Sequence, residues 1–370
     1  MNRKGNIKIG CYLRNIGISG GVKVVLQHAR MIQELGYDTV MITKRVEEVA
    51  FIPPEVRVEE VKDMADLPAC DIYTGTQFRD VKALYETVKA KVIHISHLDE
   101  RVDYRARLSG ESLTDKYRRT GPFSFAERYF DRLKFRKRIR EIESVYRLPT
   151  IKAAISKHLA QIVEREYGQK CVLIQNGIDP RVFYPDAARP WGEGGRVRIL
   201  SIGSMHVGFK GIPDTLDAVR TLRKEGRKVE LIRVSPTGPA AEERDTALVD
   251  RFYTGLDEKS VAALYRESDI FISSSLEGEG FGLPAIEALM SGTPAILTEI
   301  SSYLNFDERH DFASFVPVHS PEEIARGVAA LMDDAGLRQR RIQRGFEVAS
   351  NFTLEKTKEA LGRFLEEVTG

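Results

Sequence analysis

The chain has 370 residues, of which 42% are hydrophobic and 30% charged, and its formal net charge is +2. This length predicts about two domains, and the composition excludes a largely disordered chain. The sequence contains no apolar run near the roughly 18 residues that a membrane span needs, and Arg14 and Asn15 interrupt the N-terminal apolar stretch, so we expect no secretory signal. Cys11, Cys70 and Cys171 are widely spaced, which predicts neither a disulfide framework nor a cysteine zinc site and fits a reducing cytoplasm.

Strand and helix patterns alternate through the first half of the chain. Alternating apolar residues from Ile7 to Leu13 predict a strand, which a glycine-rich turn over 17–21 connects to a helix that ends near Gly36. Further strands are predicted over 39–43, 91–95 and 151–155. This alternation predicts a parallel sheet with helices on both faces.

A segment rich in proline and glycine, residues 184–195, predicts a linker between two domains, 1–188 and 189–352. After it we predict strands over 197–202, 229–234, 269–274 and 294–297, and helices over 212–225, 257–267 and 283–291. Ser320 to Glu323 has the sequence of a capping box, which predicts a helix to about residue 333. The whole pattern predicts two doubly wound α/β domains that face one another across a cleft, with ligands at the carboxyl ends of the strands.

The strongest chemical pattern lies in residues 277–294. A buried strand ends in a glycine-rich loop that runs directly into a short helix with Pro284 in its first turn. The glycines permit close approach of a ligand to the backbone, and the helix start offers N–H groups to an anion. Glu279 on the loop and Glu287 in the helix can accept hydrogen bonds from hydroxyls. The pattern favours a polyhydroxylated, phosphate-bearing ligand over the alternative of a strand–turn–helix with solvated glutamates.

Glu279 and Glu287, followed by Ser291-Gly292-Thr293-Pro294, resemble the motif of the retaining glycosyltransferases of family four. The resemblance extends over nearly the whole chain through weaker motifs, which are Gly20-Gly21-Val22, Ile155-Ser156-Lys157-His158-Leu159, Asn176-Gly177-Ile178-Asp179, Ile202-Gly203 and Lys210-Gly211. It implies the GT-B architecture, an α/β fold of two doubly wound Rossmann-like domains facing a central cleft. It also implies that a final helix over about 353–370 packs back on the first domain.

The resemblance implies a role for individual residues. The first glutamate of the family motif contacts hydroxyls of the donor sugar, which assigns that role to Glu279, and the second holds the ribose, which assigns it to Glu287. Lys210 matches the lysine that neutralises the donor diphosphate, and His97 matches a strand-end histidine that contacts the donor sugar. His94 lies inside the same strand, where we expect a structural role. The further donor-binding positions implied are Gly21, Gly203, Phe281, Gly282 and Leu283.

This chain departs from the family pattern where the family usually has an arginine six residues before its lysine, because that position is Ser204. Arg233 and His206 are candidates for the missing charge, and a solvated strand-end role for Arg233 is the open alternative. The loop over 299–303 lacks a common Gly-Gly pair, and we expect its serines to contact the phosphates instead. The remaining histidines show no metal-ligand spacing, and the architecture normally works without a metal. We therefore expect no metal and no cofactor, with the nucleotide sugar as a substrate.

The charge is concentrated between Arg101 and Arg147, where 14 Lys and Arg face 7 Asp and Glu, a net charge of +7 that leaves −5 for the rest. Aromatic residues alternate with these charges, and residues 125–146 can be drawn as a helix with one apolar and one basic face. A solvated helix on the first domain is one interpretation. The other is contact with an anionic membrane surface or a lipid-diphosphate acceptor. Single-stranded nucleic acid ranks last, since no recognised module accompanies the segment.

Together these observations predict a metal-independent enzyme of the cytoplasm, with attachment to the inner face of the membrane as a further expectation. It would move a sugar, with retention, from a nucleotide-diphosphate sugar to a hydroxyl of a glycan, lipid-linked or small-molecule acceptor. Two alternatives stay open. One is a catalytically weak, nucleotide-sugar-binding accessory subunit, and the other is a different GT-B enzyme such as a nucleotide-sugar epimerase. The sequence does not identify the base, the sugar, the acceptor or the linkage.

Overall fold

A computed structural model describes residues 3–17, 19–47, 52–109, 124–186, 190–244 and 248–370. The chain divides into two compact units, Met1–Asn176 with Thr357–Gly370, and Gly177–Lys356. The predicted domain boundary at 188/189 lies outside the described residues, and residues 190–195 of the predicted linker belong to the second unit.

The first unit is built on a parallel sheet. Its strands in the described part of the chain are β1 (Lys8–Tyr12), β2 (Asn15–Ile16), β3 (Asp38–Thr43), β4 (Arg45–Val46), β5 (Val58–Glu60), β6 (Ile72–Gly75), β7 (Lys91–Ser96), β8 (Ile151–Ala154) and β9 (Cys171–Leu173). Seven of them form one sheet in the order β5-β3-β1-β6-β7-β8-β9, and β2 pairs separately with β4. Because the strand order reverses direction at β1, the connections place helices on both faces of the sheet.

The helices of the first unit follow local sequence rules. They are α1 (Gly20–Glu34), α2 (Phe78–Thr87), α3 (Val102–Ser109), α4 (Ser124–Tyr146) and α5 (Lys157–Tyr167). Ser19 caps α1 by accepting a hydrogen bond from the Val22 amide, and Ser156 caps α5 through the Leu159 amide. Glycine at 168 ends α5 in the left-handed region, with φ +64°.

The second unit repeats this plan. Its strands are β10 (Val197–Ile202), β11 (Val229–Val234), β12 (Arg251–Tyr253), β13 (Ile270–Ser273), β14 (Ala295–Thr298) and β15 (Ser314–Val316). Its helices are α6 (Ile212–Lys224), α7 (Glu258–Glu267), α8 (Leu283–Met290), α9 (Ser301–Leu304), α10 (Pro321–Asp333) and α11 (Ala335–Ala349). The strands of the described residues form a parallel sheet in the order β12-β11-β10-β13-β14-β15. This confirms the predicted α/β class with two doubly wound sheets.

The final helix, α12 (Leu354–Thr369), belongs to the first unit from Thr357 onward. Ion pairs join it to that unit, since Lys4 Nζ lies 2.7 Å from Glu366 Oε1 and Lys358 Nζ lies 2.7 Å from Glu34 Oε2. The chain therefore returns to the first sheet after completing the second.

The α4 helix differs from the expected amphipathic pattern. Ile142 and Tyr146 near its C-terminal end are buried in the first unit, but Tyr129, Phe130 and Leu133 are 57%, 60% and 44% exposed. The expected single apolar face is therefore wrong, because the apolar residues near the N-terminal end are exposed, while Phe135 packs on Tyr104 of α3 and the last turns are buried. Residues 110–123 of the basic segment lie outside the described residues.

The predicted capping box at α10 is also wrong. The Ser320 side chain makes no cap hydrogen bond, because its hydroxyl instead donates to the carbonyl of Val318 at 3.2 Å. By contrast, the carboxylate of Asp334 caps α11 by accepting a hydrogen bond from the Leu337 amide at 2.8 Å.

These two caps give a matched test of stability. We expect Asp334→Ala to lower the free energy of unfolding by about 0.5–2 kcal/mol, because an amide of the first turn loses its acceptor. Ser320→Ala should change it by about 0.5 kcal/mol or less. Urea unfolding of both variants measures the difference, and a larger loss for Ser320→Ala would contradict the assignment.

Candidate functional site

The site predicted in the second unit is built where β10 and β13 end side by side. The Lys210 ammonium lies 2.5 Å from a carboxylate oxygen of Glu279, and the two side chains are 20% and 11% exposed. The hydroxyl of Ser275 lies 3.4 Å from the same oxygen. The structure therefore brings together the lysine expected at the diphosphate and the glutamate expected at the sugar, as a partly exposed ion pair.

Close approach of the two loops holds this pair in place. Gly211 follows Lys210 with φ +59°, and a Cβ atom there would lie 1.8 Å from the carbonyl oxygen of Ser274. The hydroxyl of Ser274 also donates to the Gly211 carbonyl at 2.7 Å. On the other side of the lysine, a Cβ atom at Gly203, where φ is +148°, would lie 3.2 Å from Lys210 Cγ and Cδ. Gly211 thus permits the close approach of the two loops, and the Lys210 stem packs against Gly203.

The start of α8 provides the backbone part of the site. Gly282 is its N-cap with φ +92°, and it supplies no side-chain cap. Amides at the start of a helix attract anions, so this turn can receive a phosphate group. Phe281 is buried against Phe306 and Phe352, with ring centroids 5.3 and 5.8 Å away. Its side chain belongs to the core, and only its backbone is available to a ligand.

Glu287 lies in the second turn of α8 and is 6% exposed. The Tyr265 hydroxyl lies 3.1 Å from its Oε2 and 3.0 Å from the Pro284 carbonyl. Burial, and then the neighbouring Glu287, raises the pKa of Tyr265 well above its ordinary value, so the phenol stays protonated and can donate. The carboxylate is therefore oriented by a phenol, as a ligand for ribose hydroxyls would need to be.

Of the two serines in the 299–303 loop, Ser301 has a protein partner, whereas the buried Ser302 hydroxyl has none among the described residues. Ser301 donates from its amide and its hydroxyl to Glu277 Oε1, both at 3.2 Å. This carboxylate occupies the start of α9, where we expected phosphate contacts. The Glu277 carboxylate already accepts hydrogen bonds from the amide and the hydroxyl at the start of this short helix.

Arg233 does not lie at the surface of the site. It is completely buried, pairs with Glu243 at 2.9 Å, and donates to the carbonyls of Ser201 and Gly203. Both the expected phosphate contact and the alternative of a solvated residue are therefore wrong. Ser204, where the family usually has arginine, is also buried.

His97 and Gly21 lie in the first unit, at the end of β7 and in the first turn of α1. A Cβ atom at Gly21 would lie 3.9 Å from His97 Nδ1, so the two predicted residues are neighbours. Burial lowers the pKa of His97 to about 3, with a smaller contribution from His28, whose ring centroid is 6.4 Å away. The imidazole is therefore neutral near pH 7 and can donate or accept a hydrogen bond.

His94 behaves as a core residue. It is 1% exposed, and its ring centroid lies 4.5 Å from that of Tyr146. Within the part of the chain that the structure describes, neither ring nitrogen has a hydrogen-bond partner. Burial lowers its pKa to about 3.

Sequence reasoning missed the residues that support the site. The end of β13 is a run of serines, Ser273 to Ser275, and the Ser273 hydroxyl lies 2.6 Å from that of Tyr303. A polar run at a buried strand end is a pattern that could have indicated them. No comparable pattern indicates Glu243, which lies in a short 3-10 helix over Glu242–Arg244 and is ten residues from Arg233 in the chain.

Among the described residues, no group of three or more His, Cys, Asp or Glu side chains is placed to hold a metal ion. In the same ranges, no helix combines the length and the apolar character that crossing a bilayer requires.

Gly282 gives a test of the site's backbone geometry. A Cβ atom there would lie 2.2 Å from Tyr303 Cε1. We expect Gly282→Ala to lower the free energy of unfolding by about 2–5 kcal/mol, from left-handed strain and overpacking together.

The control is Gly255→Ala, which isolates the backbone contribution. Gly255 also has a positive φ, +66°, but no described atom lies within 4 Å of its Cβ position. It should lose about 1–2 kcal/mol. Equal losses in urea unfolding would show that Tyr303 does not restrict this turn.

Comparison with known proteins shows which family model part of the chain resembles. The model described as glycosyl transferases group 1 matches residues 196–334. The MMP alpha-(1->4)-mannosyltransferase of Mycolicibacterium hassiacum is 37% identical over 126 residues, which are 32% of this chain and 29% of that protein. The phosphatidyl-myo-inositol mannosyltransferase of Mycolicibacterium smegmatis is 26% identical over 211 residues, 55% of this chain and 53% of that protein. The chain thus spans 29% of the length of the first curated relative and 53% of the length of the second.

Solved structures resemble the chain over almost its full length. Sucrose-phosphate synthase from Thermosynechococcus elongatus aligns with a TM-score of 0.75 at 14% identity, covering 98% of this chain and 99% of that one. Anabaena HepE in complex with UDP-glucose aligns with a TM-score of 0.70 at 13% identity, covering 98% and 100%. At these identities the likeness concerns the fold alone. Residues 196–334 therefore match the model of the glycosyl transferases group 1, within a chain whose two α/β units have the fold of the GT-B glycosyltransferases.

Proposed function

We propose that this protein is a retaining, metal-independent glycosyltransferase that moves a sugar from a nucleotide-diphosphate sugar to an acceptor hydroxyl. The observation that carries the proposal is the contact of Lys210 with Glu279 beside the start of α8, inside the segment that matches the family model. Relatives named as mannosyltransferases, and HepE in complex with UDP-glucose, support a nucleotide-sugar donor.

The chemistry follows from the charges at this site. When the bond between the anomeric carbon and the diphosphate breaks, the electron pair leaves with the diphosphate. Lys210 exchanges its carboxylate partner for a phosphate oxygen, and the α8 amides stabilise the same developing charge. The acceptor hydroxyl attacks on the face that the diphosphate leaves, which retains the configuration. Its proton passes to the departing phosphate oxygen.

The carboxylates bind the neutral parts of the donor. Once Lys210 turns to phosphate, Glu279 is released to accept a hydrogen bond from a sugar hydroxyl. Glu287, oriented by Tyr265, accepts hydrogen bonds from the ribose. We assign to His97, as a neutral imidazole, a hydrogen bond to the donor sugar.

Replacing the ion-paired residues tests the assignment. Lys210→Ala and Glu279→Ala should each lower turnover about 10²-fold or more, because each removes a group that acts as the bond breaks. Turnover is measured by mass spectrometry with UDP-, GDP- and ADP-sugars and a mixture of hydroxyl acceptors. Lys224→Ala, at an exposed lysine at the end of α6, is the control and should leave turnover unchanged. Near-normal turnover in both site variants would refute the proposal.

A weakly catalytic, nucleotide-sugar-binding subunit is the second candidate. The observation that favours it is Ser204, a buried hydroxyl where the family usually has a cation, together with the burial of Arg233. Stabilisation by a nucleotide diphosphate, without transfer or hydrolysis for any donor, would favour this candidate.

We also propose that α4 contacts an anionic membrane surface. Tyr129, Phe130 and Leu133 are exposed near its N-terminal end, and Lys134, Arg136 and Lys137 are exposed beside them. We call these six residues the α4 patch. Aromatic and basic side chains together favour the interface of a bilayer that contains anionic lipid. Lys134 also lies 3.6 Å from Asp131, and Arg138, which is outside the patch, pairs with Glu141 at 2.5 Å.

Flotation with vesicles tests the α4 patch. The protein should bind vesicles that contain phosphatidylserine, and it should not bind purely zwitterionic ones. Changing Lys134, Arg136 and Lys137 to Gln should weaken binding about 10²-fold, at about 1 kcal/mol per charge.

The control changes Lys224, Lys228 and Lys259 to Gln, since these exposed lysines of the second unit alter the net charge equally. If both triple variants bind alike, or if the protein binds neither vesicle, the membrane proposal is wrong.

A further inference from the structure

Arg233 is one of the largest completely buried side chains in the described part of the protein. It lies at the end of β11, where the strand register places it opposite Ser201 of β10. Every nitrogen of its guanidinium has a partner. Nε and Nη2 donate to Glu243 Oε1 at 3.1 and 2.9 Å. Nη1 donates to the Ser201 carbonyl at 2.6 Å, and Nη2 donates to the Gly203 carbonyl at 2.5 Å.

The two carbonyls belong to the chain that leads to the candidate site. Ser201 is the penultimate residue of β10, and Gly203 begins the loop that ends at Lys210. The stem of Lys210 packs on Gly203, since a Cβ atom there would lie 3.2 Å from Lys210 Cγ and Cδ. The position of the Gly203 backbone therefore limits where the stem of Lys210 can lie.

Glu243 anchors the arginine from the segment that follows β11. Its side chain is 1% exposed, and its second oxygen accepts a hydrogen bond from the Ala240 amide at 3.0 Å. The same segment holds Ser204, because the hydroxyl of Thr237 lies 2.9 Å from that of Ser204. The loop before Lys210 is thus attached to residues 235–243 directly through Thr237 and indirectly through Arg233.

A buried ion pair is a weak source of stability, because the cost of desolvation offsets most of the attraction, and an apolar pair is often equally stabilising. What distinguishes the Arg233–Glu243 pair is its geometry. Only the planar fork of a guanidinium can bridge two carbonyls and a carboxylate at fixed angles, whereas an ammonium acts as a point charge.

We propose that Arg233, held by Glu243, is a positioning residue that sets Lys210 for the donor diphosphate. The inference rests on the proposed function and extends it. Arg233 acts through the backbone of Ser201 and Gly203 and touches no ligand itself. Arg233, which the sequence suggested as a phosphate contact, thus acts on the backbone beneath the proposed phosphate site.

The test uses the full chain and compares ligand affinity with stability. Calorimetry with UDP, GDP and ADP first identifies the diphosphate that the wild-type protein binds. The double variant R233M/E243L replaces the ion pair with apolar side chains of similar size, which avoids leaving one buried charge unpaired. We expect its affinity for that diphosphate and its kcat to fall about tenfold or more, since small misplacement of a reacting group is costly. R233K should recover part of the loss.

The matched control is R101M/D99L in the first unit. Arg101 is also completely buried and pairs with Asp99 at 2.8 Å. This variant should change thermal stability by a similar amount, but it should leave the affinity for the diphosphate unchanged.

The outcomes separate the two proposals. If the wild-type protein binds none of the three diphosphates, the proposed function fails, and this inference fails with it. If the wild-type protein binds one and a folded R233M/E243L binds it equally well, only the positioning role is overturned. Should the double variant not fold, R233K keeps the charge and removes the planar fork, and wild-type affinity in R233K overturns the role.

Discussion

The approach of Gly211 to the carbonyl of Ser274 is the constraint on which the candidate site depends. A Cβ atom would lie 1.8 Å from that oxygen, so the loop after β10 can lie against the end of β13 only with glycine at this position. The contact brings Lys210 to Glu279 although 69 residues separate them in the chain. It also explains why the two parallel strands must be neighbours, since their carboxyl ends then meet at one edge of the sheet.

Buried polar groups lie behind the Lys210–Glu279 pair at this edge of the sheet. The Lys210–Glu279 pair is partly exposed, whereas the groups that hold it are buried. Hydroxyls of Ser273 to Ser275 and Tyr303 hold the β13 side, and Arg233 holds the β10 side. A ligand can exchange with the outer pair while the inner contacts remain. An arrangement of this kind keeps charges in place before a reaction, which is how an electrostatic site lowers a barrier.

Charged side chains are paired at the candidate site of the second unit, whereas basic side chains are exposed on α4 of the first unit. In the second unit, the cation predicted for the phosphates is balanced by Glu279, and Arg233 is balanced by Glu243. In the first unit, the basic segment ends in a helix whose last turns are buried and whose α4 patch is exposed. The net charge of +2 is therefore the sum of local imbalances, and an anionic partner is compatible with it.

The sequence by itself determined the two α/β domains and the loop–helix site. Strand and helix periods are local properties, and the predicted strands 197–202 and 229–234 match β10 and β11 residue for residue. The spacing of Glu279 and Glu287 around a glycine turn is likewise local. What only the tertiary structure decided depends on partners that are distant in the chain. The sequence around Arg233 does not indicate whether this strand-end residue faces solvent, a ligand or Glu243. The exposure of α4 depends on how far the first unit extends beside it. Ser320 failed as a cap because the local backbone turned its hydroxyl toward Val318. Burial and pairing are settled when the sheets assemble, and the residue pattern alone does not contain that information.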